Sequence, residues 1–129
     1  MANPVQELVR IATDLQRRVA NLERREGSPL TVPSNLVLAS DAVTVLRPYH
    51  TLEPQTGTTD DLSTVNGGRD GMVITFRVKD LGDTITVKDG TGNLRLASDF
   101  AMDSQQDTIQ LIYDATLDLW LELCRSSNA

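Results

Sequence analysis

Aromatic residues are nearly missing from this chain: two Phe, two Tyr and one Trp supply 4% of its 129 residues. Any core it builds is therefore aliphatic and thin, more comfortable where three subunits share it. Cysteine occurs once, at Cys124, which excludes an intrachain disulfide framework and leaves the redox compartment open. Histidine also occurs once, at His50. A zinc site needs several such ligands, and a Cys-His or Ser-His-Asp centre would have to be assembled from single residues with no flanking signature. Basic residues number 12 against 18 acidic ones, for a net charge of −6 and a pI near 4.6. That balance argues against nucleic acid or an anionic membrane as partner. No apolar run approaches the length of a membrane span, and the N-terminus opens on a polar helix rather than a signal peptide. A soluble protein without membrane insertion is expected.

What is present begins with that helix. Asn3 is placed to cap it, Pro4 fits the first helical position, and Gln6 sits where a capping-box side chain reaches back. At the far end Gly27 follows Arg24, Arg25 and Glu26, and Pro29 lies beyond, which predicts a stop. Between these signals Val5, Leu8, Ala12, Leu15, Val19 and Leu22 recur at alternating steps of three and four, an a/d heptad seam. One helix cannot bury such a stripe against itself, and no later segment offers a matching one. The expected partner is another copy of the chain.

With Val19 at a and Leu22 at d, Arg18 takes g and Glu23 takes e. The run Arg18-Val19-Ala20-Asn21-Leu22-Glu23 resembles the Arg-h-x-x-h-Glu motif of short three-stranded coiled coils, in which the Arg pairs with a neighbouring chain's Glu. Val at a with Leu at d also suits two strands. Val9 and Ile11 widen the apolar face, as a helix packed on its own domain would require. The expected interface is a homotrimer built on Val5, Leu8, Ala12, Leu15, Arg18, Val19, Leu22 and Glu23, along a helix about 35 Å long.

The division expected is a coiled-coil helix over 1–27, a linker over 28–35 and a β-domain over 36–129. Gly27, Ser28, Pro29, Pro33, Ser34 and Asn35 mark the linker, and beyond it the apolar period changes from 3.5 to 2. Leu36–Leu38 and Ala42–Leu46 read as short strands, and Tyr49–Leu52, bracketed by Pro48 and Pro54, as an edge strand. Gln55–Asp61 reads as an exposed loop and Asn66–Gly71 as a turn cluster. After it, Ile74, Phe76 and Val78 face one way while Thr75, Arg77 and Lys79 face the other. Ile85 and Val87 continue inward, and Asp89–Asn93 reads as a tight reversal into Leu94–Leu96. Strands over Asp107–Asp114 and Leu117–Cys124 close the chain. Asp83-Thr84-Ile85 and Asp107-Thr108-Ile109 echo each other 24 residues apart, a spacing compatible with stacked hairpins or coils. The fold class expected is mainly β: a sandwich, jelly roll or interleaved fibre-head domain behind a trimeric coiled coil.

Chemistry is sparse. His50 reads as a strand-edge or loop residue and Cys124 as a small buried hydrophobe. Asp89–Asn93 and Asp60-Asp61 offer oxygens but not the spacing of a calcium loop, and Gly90-Thr91-Gly92 is followed by neither Lys-Ser/Thr nor a helix, so it is no phosphate cradle. Asp60-Asp61, Asp80/Asp83 and Asp103/Asp107 lie in polar turns where solvated carboxylates are expected. No catalytic, cofactor or metal residue is assigned, and the chain is not expected to be an enzyme.

The series Asp60-Asp61-Leu62-Ser63-Thr64-Val65-Asn66-Gly67-Gly68, then Gly71 before an apolar strand, then Thr84-Ile85-Thr86-Val87-Lys88-Asp89-Gly90-Thr91-Gly92-Asn93-Leu94, then Leu111-Ile112-Tyr113-Asp114 ahead of Trp120-Leu121-Glu122, resembles a β-domain of small tailed-bacteriophage virion proteins. It spans about residues 42–125. The resemblance implies a head fibre, a capsid decoration protein or a distal tail-fibre part, homotrimeric, with Trp120 and Tyr113 in the core and no catalytic residue. Where many relatives close the last hairpin with a Gly-Thr-Asn turn, this chain has Ala115-Thr116-Leu117-Asp118. The expected partners are two further copies of itself and phage capsid or tail proteins, at the virion surface after assembly in the host cytoplasm. The alternative is a receptor- or carbohydrate-binding module whose loop tips, such as Thr56–Asp61, meet a host cell-surface glycan and whose helix makes it trivalent. A shaft of about 35 Å is short for a tail fibre, which favours the head.

Overall fold

The computed structural model describes residues 3–30 and 34–128, and the helical side chains as far as Ala20. The chain divides into two compact units at the junction of residues 32 and 33. The first is helix α1 (Pro4–Leu30). Asn3 caps it: its Oδ1 accepts the Val5 N–H at 2.9 Å and its carbonyl accepts the Glu7 N–H at 3.0 Å. The stop expected at Gly27 and the linker from 28 to 33 lie outside the described side chains, and the first strand begins at Ser34.

Among the described residues the second unit is built from eleven strands. In chain order they are β1 (Ser34–Val37), β2 (Ala42–Thr44), β3 (Tyr49–Glu53), β4 (Thr59–Leu62), β5 (Thr64–Asn66), β6 (Val73–Val78), β7 (Thr84–Val87), β8 (Leu94–Arg95), β9 (Phe100–Met102), β10 (Thr108–Asp114) and β11 (Leu119–Ser126). They form a six-stranded sheet ordered β1-β3-β6-β10-β11-β8, a pair β2-β5, and a sheet β4-β7-β9. The pairs β1/β3, β3/β6, β2/β5 and β4/β7 are all parallel.

Parallel neighbours that recur at a near-constant step make a coil. His50 lies beside Phe76, 26 residues on, and Leu62 beside Val87, 25 residues on. From β3 the chain visits the β4 sheet, then the β5 pair, and returns as β6 next to β3. The unit is thus solenoid-like, ended by the antiparallel hairpin β10/β11 that packs beside β6. The sandwich, jelly-roll and fibre-head expectations are corrected to this extent: those folds are dominated by antiparallel neighbours, whereas alternation in a sequence fixes only which face a residue takes. The Asp83/Asp107 echo falls on strands of two different sheets and is not the stacking repeat.

The core sits inside the coils. Ile74, Phe76, Val78, Ile85 and Val87 are fully buried as their alternation predicts, with Leu52, Leu62, Leu94, Met102, Ile109, Leu111 and Trp120. This aliphatic core closes within a single chain, so its thinness does not require neighbouring subunits. Tyr113 packs tilted against Trp120 at 5.1 Å between ring centroids, and the indole N–H donates to the Val65 carbonyl at 3.1 Å.

Three local expectations change. Strand β3 is interior, not an edge; Pro48 and Pro54 lie just outside it and remove no ladder donor. Strand β4 begins inside the loop expected over Gln55–Asp61. Asp89–Asn93 is no hairpin, because β7 and β8 belong to different sheets. It is a corner, held by Asn93, whose side chain accepts the Val65 N–H at 2.9 Å and donates to the Val65 carbonyl at 2.7 Å. Gly92 is needed there: a Cβ would lie 2.0 Å from the Ser63 carbonyl.

Candidate functional site

The expected interface residues fall on α1, where the structure leaves the seam bare. Val5 is 67% exposed, Leu8 69%, Leu15 54% and Val19 50%, and Ala12 is exposed as well. Their spacing puts all five on one stripe of the helix. Val9 and Ile11, at its flank, are exposed too. Arg18 pairs within the helix, 3.1 Å from Asp14, and Glu7 pairs with Arg10. Such exposed i,i+3 and i,i+4 pairs add a few tenths of a kcal/mol each. Leu22 and Glu23 lie outside the described side chains.

The β unit buries the polar side chains of His50, Thr51 and Asp107. His50, expected at an edge, is fully buried on β3. Its Nε2 accepts the N–H groups of Leu46 and Arg47, both at 3.1 Å, and Nδ1 lies 3.0 Å from the Ser34 carbonyl. A carbonyl only accepts, so the network assigns the proton to Nδ1. Both nitrogens are committed, and the ring pins the 46–48 turn to the start of β1. Burial lowers its pKa below the ordinary 6.5, against the opposing hydrogen bonds of Ser34 and Arg47. Asp107, also fully buried, accepts the N–H groups of Asp103 at 3.1 Å and Asn128 at 2.8 Å, tying a turn to the C-terminal segment. Among the described residues no buried side-chain polar atom lacks a partner.

Several surface groups are likewise engaged. Cys124 is exposed, correcting the buried reading; it lies past the irregularity at Gln110/Leu111, where the inward alternation of β11 is broken, and its Sγ sits 3.4 Å from Gln110 Oε1. Glu122 and Arg125 pair at 2.5 Å, Arg125 stacks 4.8 Å over the Phe100 ring, and Glu122 accepts the Ala97 N–H at 2.9 Å. The Arg125 hydrogen bond holds the Glu122 carboxyl below its usual range. An open depression of about 630 Å³ beside β11 is lined by Arg95, Leu121, Leu123 and Cys124 among others, and Arg95 turns its guanidinium onto the Gly92 and Leu94 carbonyls.

The carboxylates pair differently from the sequence-adjacent sets. Asp41 shares a side-chain hydrogen bond with Asp60, and Glu53 with Asp80. Partial desolvation and the Asp60 charge raise the Asp41 pKa; Asn35 and Asp80 lower that of Glu53. Asp60 also accepts the Gln55 and Asp61 N–H groups, both at 2.8 Å, and so shapes the 55–60 loop. Among the described residues no cluster of His, Cys, Asp and Glu has the geometry of a metal site, and no helix is long and apolar enough to cross a membrane. The chain matches no protein-family model and no curated protein. What remains is an apolar stripe with nothing of its own helix to cover it.

Proposed function

We propose that the chain is a structural, self-associating protein of a tailed-bacteriophage particle: three copies joined through α1, each presenting a solenoid-like β unit as a knob on the capsid surface. One observation carries the reading, the stripe Val5, Leu8, Ala12, Leu15 and Val19 that stays exposed in the single chain. Apolar side chains at a and d are buried by a partner helix, with a gain near 25 cal/mol per Å² removed from water. The β unit supports a passive role, since its buried His50 and Asp107 hold turns and its buried Thr51 donates to Asn35 on the neighbouring strand. In this reading α1 sets the copy number, Arg18 exchanges Asp14 for Glu23 of a neighbouring copy, and the β unit supplies bulk, shape and negative charge.

The test is the mass of the purified protein by sedimentation equilibrium or light scattering. Three times the 14.1 kDa chain mass is expected; a monomer would refute the assembly. The particle assignment is tested separately by quantifying the chain in purified virions, where copy numbers in multiples of three are expected and absence would refute it.

A further inference from the structure

We infer that Asn66-Gly67 is a site of spontaneous covalent ageing, at which the native fold leaves the reacting groups unrestrained while it locks the two other Asx-Gly pairs. The sequence holds three such pairs: Asn66-Gly67, Asp70-Gly71 and Asp89-Gly90. The chemistry is the same in outline for each. The glycine amide nitrogen gives up its proton to solvent and attacks the Asx Cγ. At Asn66 the C–N bond of the side-chain amide breaks, ammonia leaves, and a five-membered imide forms. Water then opens the imide at either carbonyl, giving Asp or the isomer in which the main chain runs through the side-chain carbon. Asn and water go in; acid and ammonia come out.

Two hydrogen bonds guard each aspartate pair. Asp70 Oδ1 accepts the Ala115 N–H at 3.0 Å, and the Gly71 N–H donates to the Tyr113 carbonyl at 2.8 Å. Asp89 Oδ1 accepts the Leu96 N–H at 2.8 Å, and the Gly90 N–H donates to the Leu94 carbonyl at 3.0 Å. In both, the electrophile and the nucleophile are each held by another part of the chain. Asn66 stands at the open end of β5, exposed, and among the described residues neither its side chain nor the Gly67 N–H makes a hydrogen bond. The restraints on the pair act on the Asn66 main chain, which stands in register with Thr44 and whose carbonyl accepts the Val45 N–H at 2.9 Å; they leave Cγ and the Gly67 nitrogen unheld.

The fold also explains why a labile pair stands here. Gly67 has φ +90°, and a Cβ on it would sit 2.7 Å from the Val45 carbonyl. Only glycine fits that close approach, so the slower pairs with a bulky second residue are closed to this position. The isomerised product adds a methylene to the main chain between residue 66 and Gly67. That displaces the last register pair of the β2/β5 ladder, Thr44 with Asn66, and the Val45 bond beside it.

The experiment uses the full chain beside its Asp70→Asn and Asp89→Asn variants, which place the same reactive Asn-Gly chemistry behind the guarding bonds. Each is aged in mildly alkaline buffer made with oxygen-18 water, natively and in urea, and mapped by peptide mass spectrometry that separates the two isomers. In urea all three sites should convert at similar rates. Natively, residue 66 should convert while residues 70 and 89 slow by roughly thirtyfold more, the cost of opening two hydrogen bonds first. Faster hydrogen exchange at the Val45 amide should accompany conversion. Native protection of residue 66 equal to that of residues 70 and 89, or no conversion at 66 in either state, overturns the inference. Should either variant misfold, the native-to-urea ratio at Asn66 in the unaltered chain decides alone: a ratio within about tenfold supports it and a larger suppression overturns it.

Discussion

Changing Leu8 and Leu15 together to Asp probes the assembly most directly. Both occupy d positions and are 69% and 54% exposed in the single chain. Full burial of a leucine gains about 1.5–3 kcal/mol, so covering the exposed remainder of each gains roughly 1 kcal/mol. Two such layers in three chains forfeit roughly 6 kcal/mol per trimer, which lowers the assembly constant about 10⁴-fold. Rings of three carboxylates in the seam add repulsion to that loss. The assay is sedimentation equilibrium across a wide range of protein concentration, with Trp120 fluorescence as an independent report on the β unit, in whose core the indole is buried. The variant should be monomeric with native Trp120 emission, while Arg17→Ala, at an f position outside the seam, should keep the parent mass. A Leu8→Asp/Leu15→Asp chain that keeps the parent mass would refute the reasoning, because no a/d interface tolerates those charges at that price.

Four further outcomes follow from the β unit. Unfolded His50 takes up a proton near 6.5 while the native ring does so only at lower pH, so unfolding binds a proton in that window and stability falls as pH drops below 6.5; melting curves should show the fall, and His50→Gln should flatten it. Asp41 titrates above its ordinary 3.8 in the native state, so its contribution favours folding below that pH and is lost as pH rises. Asp41→Asn should therefore raise the melting temperature at neutral pH and not below pH 3.8, helped by a φ of +63° that Asn tolerates well. Trp120→Ala removes the largest buried side chain and should cost about 3–5 kcal/mol in chemical denaturation. Gly92→Ala should cost about 3 kcal/mol or more because a backbone carbonyl blocks the new methyl, whereas Gly57→Ala, at φ +66° with nothing within 4 Å, should cost about 1 kcal/mol of backbone strain alone.

The sequence discloses faces well and neighbours poorly, and particular residues show why. Ile74, Phe76, Val78, Ile85 and Val87 could be placed inward because a half-buried strand alternates whatever strand lies beside it. That β6 has a parallel neighbour on one side and an antiparallel one on the other leaves no mark in its own six residues. Proline misled for β3, where it stands outside the ladder, and the Asp-Gly-Thr-Gly-Asn run misled because a corner between sheets and a hairpin reversal draw on the same residue types. Gly92 beside Asn93 held the one available signal, a small residue for close approach next to a side chain able to bond both backbone groups of Val65. The Asp41–Asp60 and Glu53–Asp80 pairs join successive coils, and nothing local in the sequence links them.

The heptad seam was legible for the opposite reason: its period is local, and one helix displays it without a neighbour. Its meaning follows from comparing the two units, each taken by itself. In the β unit the inward-facing apolar positions are all covered, down to Leu52, Leu62 and Met102 at the coil centres. In α1 the a and d positions from Val5 to Val19 are all open. Folding a lone helix gains almost nothing from such a stripe, since isolated helices gain little from propensity alone and their stability comes from packing an apolar face. On the proposed reading, the residues of this stripe specify a contact between chains. If assembly and folding are written in separate stretches in this way, seam substitutions should change copy number while core substitutions change stability.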